Sequence, residues 1–410
     1  RRQRQMCIRD RFTIPYVSRV LGAENIGLFS YTYAVANYFV LFANLGIKNY
    51  GSRTIAMVRN NKEELNRNFS EILSIHIIFS IIVIFVYLVL LFFFVEDNLV
   101  IFLIQSIYVF AAVFDINWFF FGIEKFKLTV GRNTLVKILS VFLVLVFVKT
   151  QTDLWIYALI LALSVFVGQS VVWFALKQYV SWRRPSWANM KQHIRPLFVL
   201  FLPILALSLY KYMDKIMLGS ISSNVQVGFY ENAEKIINVP MSLIMAFGVV
   251  LMPRIANMVT SKDKGEVFKL IDMSMEAVML LAIAISFGLA GISFVLAPIF
   301  FGYEFEECGI LIMGLAVTVP FMAFANVIRT QYLIPYKEDK IFVVSLFLGA
   351  AVNLIVNIIL IPYMAARGAV IGTIFAEIIV CIYQSYFVRK KIFIKKYLLN
   401  TIPPILIGIV

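Results

Sequence analysis

The chain has little charge and few of the residues that build metal sites or disulfides. Of its 410 residues, 15% are charged, three are cysteine and two are histidine. The cysteines (Cys7, Cys308 and Cys381) lie in unrelated segments, and His76 and His193 are isolated from each other. We therefore expect no disulfide framework and no metal site, and we also expect no cofactor.

Apolar sequence dominates instead. Hydrophobic residues make up 61% of the chain and the mean hydropathy is +0.88, which excludes a soluble domain of this length with one core. Runs of about 20 apolar residues predict membrane-spanning helices. We find eleven complete spans: 28–45, 69–95, 99–123, 134–148, 154–176, 197–220, 227–252, 270–301, 308–334, 341–363 and 368–388. Partial spans stand at 12–21 and 397–410.

Lysine and arginine are confined to alternate gaps between these spans. One set of gaps holds Lys48, Arg53, Arg59, Lys62, Arg67, Lys125, Lys127, Arg132, Lys177, Arg183, Arg184, Lys191, Arg195, Arg254, Lys262, Lys264, Lys269, Lys337, Lys340, Arg389, Lys390, Lys391, Lys395 and Lys396. The other set holds Arg19, Lys149 and Arg367. Because short basic loops stay cytoplasmic, the asymmetry of 24 against 3 predicts a multi-pass protein of the inner-membrane type with a cytoplasmic N-terminus.

The same bias accounts for most of the net charge of +14. A basic chain can bind nucleic acid, but no basic stretch here is interleaved with exposed aromatic residues on a soluble module. We expect membrane lipids as partners and no nucleic acid.

The span order predicts an all-α polytopic membrane protein with two six-helix lobes around a central cavity, followed by a partial C-terminal span. We expect residues 12–177 to form the N-terminal lobe with a truncated first helix, and 178–196 to form a cytoplasmic linker. Residues 197–390 would form the C-terminal lobe, and 391–410 would start a further transmembrane segment. Residues 1–11 do not read as a signal peptide, and we expect them to be a non-native leader.

Ionisable residues inside apolar spans are costly and are therefore candidates for function. The predicted cavity cations are Arg19, Lys211, Lys215, Lys235 and Arg329, and the predicted partner or coupling carboxylates are Asp115, Asp214, Glu231 and Glu234. Helical spacing puts Lys211, Asp214 and Lys215 on nearly one face, which predicts a carboxylate paired between two amines. Such lysines could bind a pyrophosphate headgroup and release it when their acidic partners compete for them. Snorkelling at the interface is the plainer interpretation of each residue.

An ordered series of short motifs resembles a known family. Tyr16-Val-Ser-Arg-Val-Leu-Gly22 opens the series and Asp214-Lys-Ile-Met-Leu-Gly219 falls in its middle, with Asn357 near its end. In this order the chain is similar to the Wzx-type polysaccharide-repeat flippases of the multidrug/oligosaccharidyl-lipid/polysaccharide exporter superfamily. The resemblance implies alternating access of a central cavity and a substrate made of an oligosaccharide linked by pyrophosphate to a polyprenol. Other polysaccharide-assembly proteins are further possible partners.

Our leading hypothesis is therefore a flippase for O-antigen, capsule or related surface-polysaccharide biosynthesis in the cell envelope, and not an enzyme. A multidrug or cation antiporter of the same superfamily is the alternative, and its cavity should be dominated by carboxylates. A membrane glycosyltransferase or polymerase is a weaker alternative, because outer gaps such as 95–98 and 150–153 leave no room for a catalytic domain.

Overall fold

The computed structural model describes residues 2–260, 264–392 and 394–409, and the regular structure of these residues is entirely helical. The chain divides into two compact units, Arg1–Ser208 and Leu209–Val410. These are called the first unit and the second unit below, and each is described by itself.

The first unit contains seven complete helices and most of an eighth. They are α1 (Arg2–Asn44), α2 (Ile47–Val58), α3 (Lys62–Phe94), α4 (Leu99–Val113), α5 (Asn117–Gly122), α6 (Phe126–Phe147), α7 (Leu154–Leu176) and α8 (Trp187–Ile221), which continues into the second unit. The second unit adds α9 (Asn224–Thr260), α10 (Lys264–Phe301), α11 (Cys308–Ala316), α12 (Thr318–Ile328), α13 (Asp339–Met364), α14 (Ala366–Val388) and α15 (Ile394–Ile409). A π-helical turn, Arg329–Leu333, extends α12.

The predicted all-α polytopic class is confirmed. Among the described residues, ten helices are long and apolar enough to cross a membrane. The shorter α4 corresponds to the remaining predicted span, which the structure breaks before α5. Helix α7 begins and ends where the apolar run predicts, at residues 154 and 176. The arrangement of two six-helix lobes around a cavity stays a prediction.

The long helix α1 is two helical segments that meet at Gly22. The backbone of Gly22 has φ 77° and ψ 173°, which is not helical and which a residue without Cβ adopts at little cost. Tyr16 Oη, before the break, donates to Val148 O at 2.7 Å. Asn25 Nδ2, after it, donates to Gln151 O at 3.0 Å. The partial span and the span that follows it are thus separate segments anchored to one short loop.

Helix α8 begins at Trp187, inside the segment expected to be a polar linker. The preceding non-helical residues are tethered to the start of α3 because two of their backbone N–H groups find side-chain acceptors there. Ser181 N donates to Asn66 Oδ1 at 2.9 Å, and Arg183 N donates to Ser70 Oγ at 2.9 Å. The segment between α7 and α8 therefore packs as part of the first unit.

Aromatic packing holds α2, α3 and α5 together. The buried Trp118 ring stacks on Phe69 with centroids 5.6 Å apart, and Phe119 meets Phe69 edge to face at 4.9 Å. Gly51 of α2 lies against this cluster, and a Cβ at this position would be 2.5 Å from the Trp118 ring. The close approach of α2 depends on glycine at this contact.

We predict that Gly46→Ala destabilises the first unit. Gly46 joins α1 to α2 with φ +73°, and a Cβ there would lie 2.7 Å from Leu197 O. A left-handed alanine costs about 1–2 kcal/mol, and the backbone clash adds to this. Thermal unfolding of the purified chain in detergent should therefore shift to a lower temperature.

The matched control is Gly131→Ala in α6, where a Cβ meets nothing within 4 Å. Its unfolding temperature should stay equal to that of the unmodified chain or rise slightly, since alanine favours helix. Equal unfolding temperatures for the two variants would contradict the role given to Gly46.

Candidate functional site

The candidate site is built on a helical hairpin. Helix α8 ends at Ile221 and α9 begins at Asn224, so two residues connect them. When a chain reverses in so short a connection, residues at similar distances from the turn face one another. Lys215 and Glu231 are about equally far from this turn, which explains why they meet.

Four charged side chains of this hairpin form one cluster, called the Lys215 cluster. Lys215 Nζ lies 2.5 Å from Glu231 Oε2 and 2.8 Å from Glu234 Oε2. Lys235 Nζ lies 3.1 Å from Glu231 Oε1, one helical turn away on α9. With two ammonium groups and two carboxylates, the cluster is electrically balanced.

Burial makes this pairing consequential. Only 8% of Lys215 is exposed, so its ammonium has exchanged water for carboxylates. In the interior, such a pair offsets the loss of hydration only when the remaining hydrogen-bonding capacity is also used. Removing one partner leaves an uncompensated charge, at a cost of about 3–5 kcal/mol.

Asp214 belongs to a second buried network beside the cluster. Tyr230 Oη donates to its Oδ2 at 2.6 Å, and Thr373 Oγ1 donates to the same oxygen at 3.1 Å. Asn357 Nδ2 donates to Oδ1 at 2.6 Å. The carboxylate thus joins α8 to α9, α13 and α14 through neutral donors.

The Asp214 network is lined by oxygen atoms. Asn357 Oδ1 is buried without a hydrogen-bond partner, and a Cβ on Gly372 would lie 2.2 Å from it. Carboxylate, amide and hydroxyl oxygens are the groups that hold a proton or a hard cation. Among the described residues, no group of three His, Cys, Asp or Glu side chains could hold a metal ion.

The expected pairing of Asp214 with lysines on both sides is wrong. Its partners are neutral, whereas the buried Lys215 pairs with Glu231 and Glu234. Consecutive residues point about 100° apart around a helix, so Asp214 and Lys215 face different neighbours. Lys211 is exposed and lies 5.2 Å from the Tyr212 ring centroid.

Arg329, another predicted cavity cation of the second unit, is the first residue of the π-helical turn. Its Nη2 donates to Asn326 Oδ1 at 2.8 Å, and its guanidinium is 5.3 Å from the centroid of Phe342. The side chain is half-buried. The structure thus gives this cation an amide and an aromatic face as neighbours.

Two candidates belong to the first unit. Arg19 is exposed on α1, three residues before Gly22. Asp115 lies in the break between α4 and α5, where its Oδ1 accepts from Asn117 N at 3.1 Å and from Asn117 Nδ2 at 2.5 Å. Asn117 Oδ1 in turn accepts from Arg132 Nη2 at 3.0 Å. Asp115 therefore accepts from the first backbone N–H of α5 and belongs to a polar network with Asn117 and Arg132.

Sequence reasoning missed the neutral members of the Asp214 network as site residues. Asn357 appeared only in the series of motifs that carries the resemblance, and Thr373 had no signal. The available clue was the pair Asn353 and Asn357, four residues apart on an otherwise apolar helix, since buried amides require partners. Asn357 Nδ2 donates to Asn353 Oδ1 at 3.2 Å.

Comparison with known proteins gives the family and the fold. The polysaccharide biosynthesis protein family matches residues 12–259. A protein of Shigella dysenteriae, named as an O-antigen transporter, is 24% identical over 386 residues, which are 90% of this chain and 93% of that protein.

Two solved structures share the fold. The lipid II flippase MurJ in an inward closed conformation has a TM-score of 0.77 at 14% identity, covering 99% of this chain and 89% of the other. An inward-facing MATE family multidrug resistance transporter of the MOP superfamily has a TM-score of 0.71 at 14% identity, covering 95% of each chain. At this identity the likeness shows the fold alone. The family match spans more than half of this chain, and the resemblance to the Wzx-type flippases is confirmed. The chain therefore belongs to the polysaccharide biosynthesis protein family.

Proposed function

We propose that the chain is a flippase that moves a polyprenyl-pyrophosphate-linked oligosaccharide repeat unit across a bacterial inner membrane by alternating access. The relative in Shigella dysenteriae is by name an O-antigen transporter, which supports a substrate of this class. The protein moves the substrate without making or breaking its bonds, so it is not an enzyme.

The observation that carries the proposal is the buried Lys215 with its two carboxylates. Four charged groups within apolar helices cost folding free energy, and residues kept at such a cost are candidates for function. A pyrophosphate carries more negative charge and more acceptor oxygens than a carboxylate and can replace Glu231 or Glu234 as the partner of Lys215. When the phosphate leaves, the carboxylate takes its place again, so the ammonium is never left unpaired.

Orientation and location follow from the loop charges. Lysine and arginine concentrate in alternate gaps, and by the positive-inside rule those gaps face the cytoplasm. We therefore propose that the N-terminus is cytoplasmic and that the substrate moves from the cytoplasmic to the periplasmic leaflet.

A multidrug or cation antiporter is the second candidate, because a MATE transporter shares the fold. A cationic drug would need carboxylates without cationic partners. Asp214 has neutral partners, but Glu231 and Glu234 both contact Lys215, and this pairing favours an anionic substrate.

We predict that Lys215→Gln abolishes transport. The variant should lower surface polysaccharide at least tenfold in a strain that lacks its own flippase, since one charge-assisted contact is worth about 1.5–3 kcal/mol. Polymer at the cell surface and the amount of protein in the membrane are measured together, so that loss of transport is separated from loss of protein.

Two further variants make the Lys215 test decisive. Lys215→Gln combined with Glu231→Gln keeps the cluster balanced by leaving Lys235 and Glu234, so it should reach the membrane and still lack transport. Lys340→Gln removes an exposed lysine and should leave polymer unchanged. Normal polymer from the balanced double variant would refute the role of Lys215.

Asp214 is the proposed coupling carboxylate. It is buried, and its hydrogen-bond donors are neutral, so binding a proton or a cation would change the net charge of the network. A change of one charge in a low-dielectric site has a large energetic effect. Such an effect can bias one conformation of the second unit over another.

We predict that Asp214→Asn uncouples transport from an ion gradient. In proteoliposomes with a fluorescent lipid-linked oligosaccharide, the unmodified chain should move the substrate faster when a proton or sodium gradient is imposed. The isosteric amide loses the charge, so Asp214→Asn should move substrate at the same rate with and without the gradient. Asp339→Asn, at an exposed position, should keep the response. A gradient response that survives in Asp214→Asn would contradict the coupling role.

A further inference from the structure

A cavity of about 690 Å³ opens in the first unit, away from all of the residues discussed as the candidate site. It lies between α2, the first turns of α3 and the first turns of α8. Three arginines line it, one from each helix: Arg53, Arg67 and Arg195. It is called the arginine cavity below.

The arginine cavity carries positive charge that the protein does not neutralise. In the described part of the chain, Arg53, Arg67 and Arg195 have no carboxylate partner. Other arginines of the same unit do: Arg59 lies 2.6 Å from Glu124, and Arg183 lies 3.1 Å from Glu63. These two arginines have their charge balanced by a glutamate, whereas the three arginines that line the cavity present theirs to the space between α2, α3 and α8.

A buried hydrogen-bonded chain fixes the wall between the arginines. His193 is 3% exposed, and its ring nitrogens contact Tyr50 Oη at 2.6 Å and Glu71 Oε2 at 2.9 Å. These contacts link α8 to α2 and α3. Glu71 is 1% exposed, and His193 is its partner.

Backbone packing brings the same helices close. Gly46, just before α2, lies against the backbone of α8 at Leu197 and Phe201. Tyr50, Arg53 and Met57 then share one face of α2 by their spacing of three and four residues. This face forms one side of the cavity.

We propose that the arginine cavity binds a phosphate or pyrophosphate group at the membrane surface. Guanidinium groups bind phosphate oxygens through paired, charge-assisted hydrogen bonds. The volume falls within the range of about 300–1,000 Å³ for small-ligand pockets, which exceeds the needs of a single ion and fits a phosphorylated headgroup. Met57 and Val199, both largely exposed at the cavity, offer apolar contacts for the lipid that carries it.

Two sources share this chemistry. One is an anionic phospholipid of the bilayer, and the other is the pyrophosphate head of a lipid-linked sugar. The proposal goes beyond the proposed function, because it concerns binding within the first unit and requires no translocation.

The test measures binding of inorganic pyrophosphate to the full chain by calorimetry in nanodiscs of phosphatidylcholine. The unmodified chain should bind, and binding should weaken as salt is raised. Arg53→Gln, Arg67→Gln and Arg195→Gln should each weaken it about tenfold or more, as expected for one lost charge-assisted contact.

The matched control is Arg184→Gln. Arg184 is exposed in the segment before α8 and does not line the cavity, so its loss removes the same charge and should leave binding unchanged. Equal unfolding temperatures for Arg184→Gln and Arg195→Gln establish that both variants fold.

A second set of nanodiscs, containing phosphatidylglycerol, identifies the source. If phosphatidylglycerol displaces pyrophosphate, the cavity takes a phospholipid headgroup. If pyrophosphate binding is unchanged, the cavity selects a diphosphate, as in a lipid-linked sugar. Both results support the proposal. No binding in phosphatidylcholine discs, or an equal loss in Arg184→Gln and Arg195→Gln, overturns it.

Discussion

An ammonium group inside an apolar helix has to be neutralised by the protein, and the hairpin of α8 and α9 is arranged around this constraint. Glu231 and Glu234 lie three residues apart on one face of α9 and both reach Lys215. Two carboxylates around one lysine would leave a net negative charge, and Lys235 removes it by pairing with Glu231. The four side chains of the cluster thus bury Lys215 with no net charge among them.

The same helix geometry gives Asp214 different surroundings. As the residue before Lys215, it is turned by about 100° and meets Tyr230, Asn357 and Thr373 instead of a cation. Three neutral donors satisfy a carboxylate but do not cancel its charge. The Lys215 cluster differs from this network, because its charges are balanced. The proposals that Asp214 couples transport and that the Lys215 cluster binds an anion rest on this difference.

Local patterns predicted the spans well, because apolar run length is a property of consecutive residues. The break at Gly22 falls in the gap expected between the partial span 12–21 and the span 28–45. The early start of α8 at Trp187 was missed, since its first turns are too polar to register as part of an apolar run. The Lys215 cluster spans one short turn, so its members could be suspected from sequence. The partners of Asp214 could not, because Asn357 and Thr373 are 143 and 159 residues away along the chain.

The arginine cavity could not be predicted for another reason, because its three arginines lie in the basic gaps and resemble the other loop charges in sequence. Counting charge per gap gives orientation but does not distinguish a paired arginine from an unpaired one. The structure makes that distinction, and it has a physical consequence. An anion that binds Arg53, Arg67 or Arg195 displaces only water, so its affinity should fall with salt. An anion that binds Lys215 has to displace a carboxylate in a buried site, where screening is weak. The two proposed sites would therefore differ in the competitor that sets their affinity for an anion, which is salt at the first and an internal glutamate at the second.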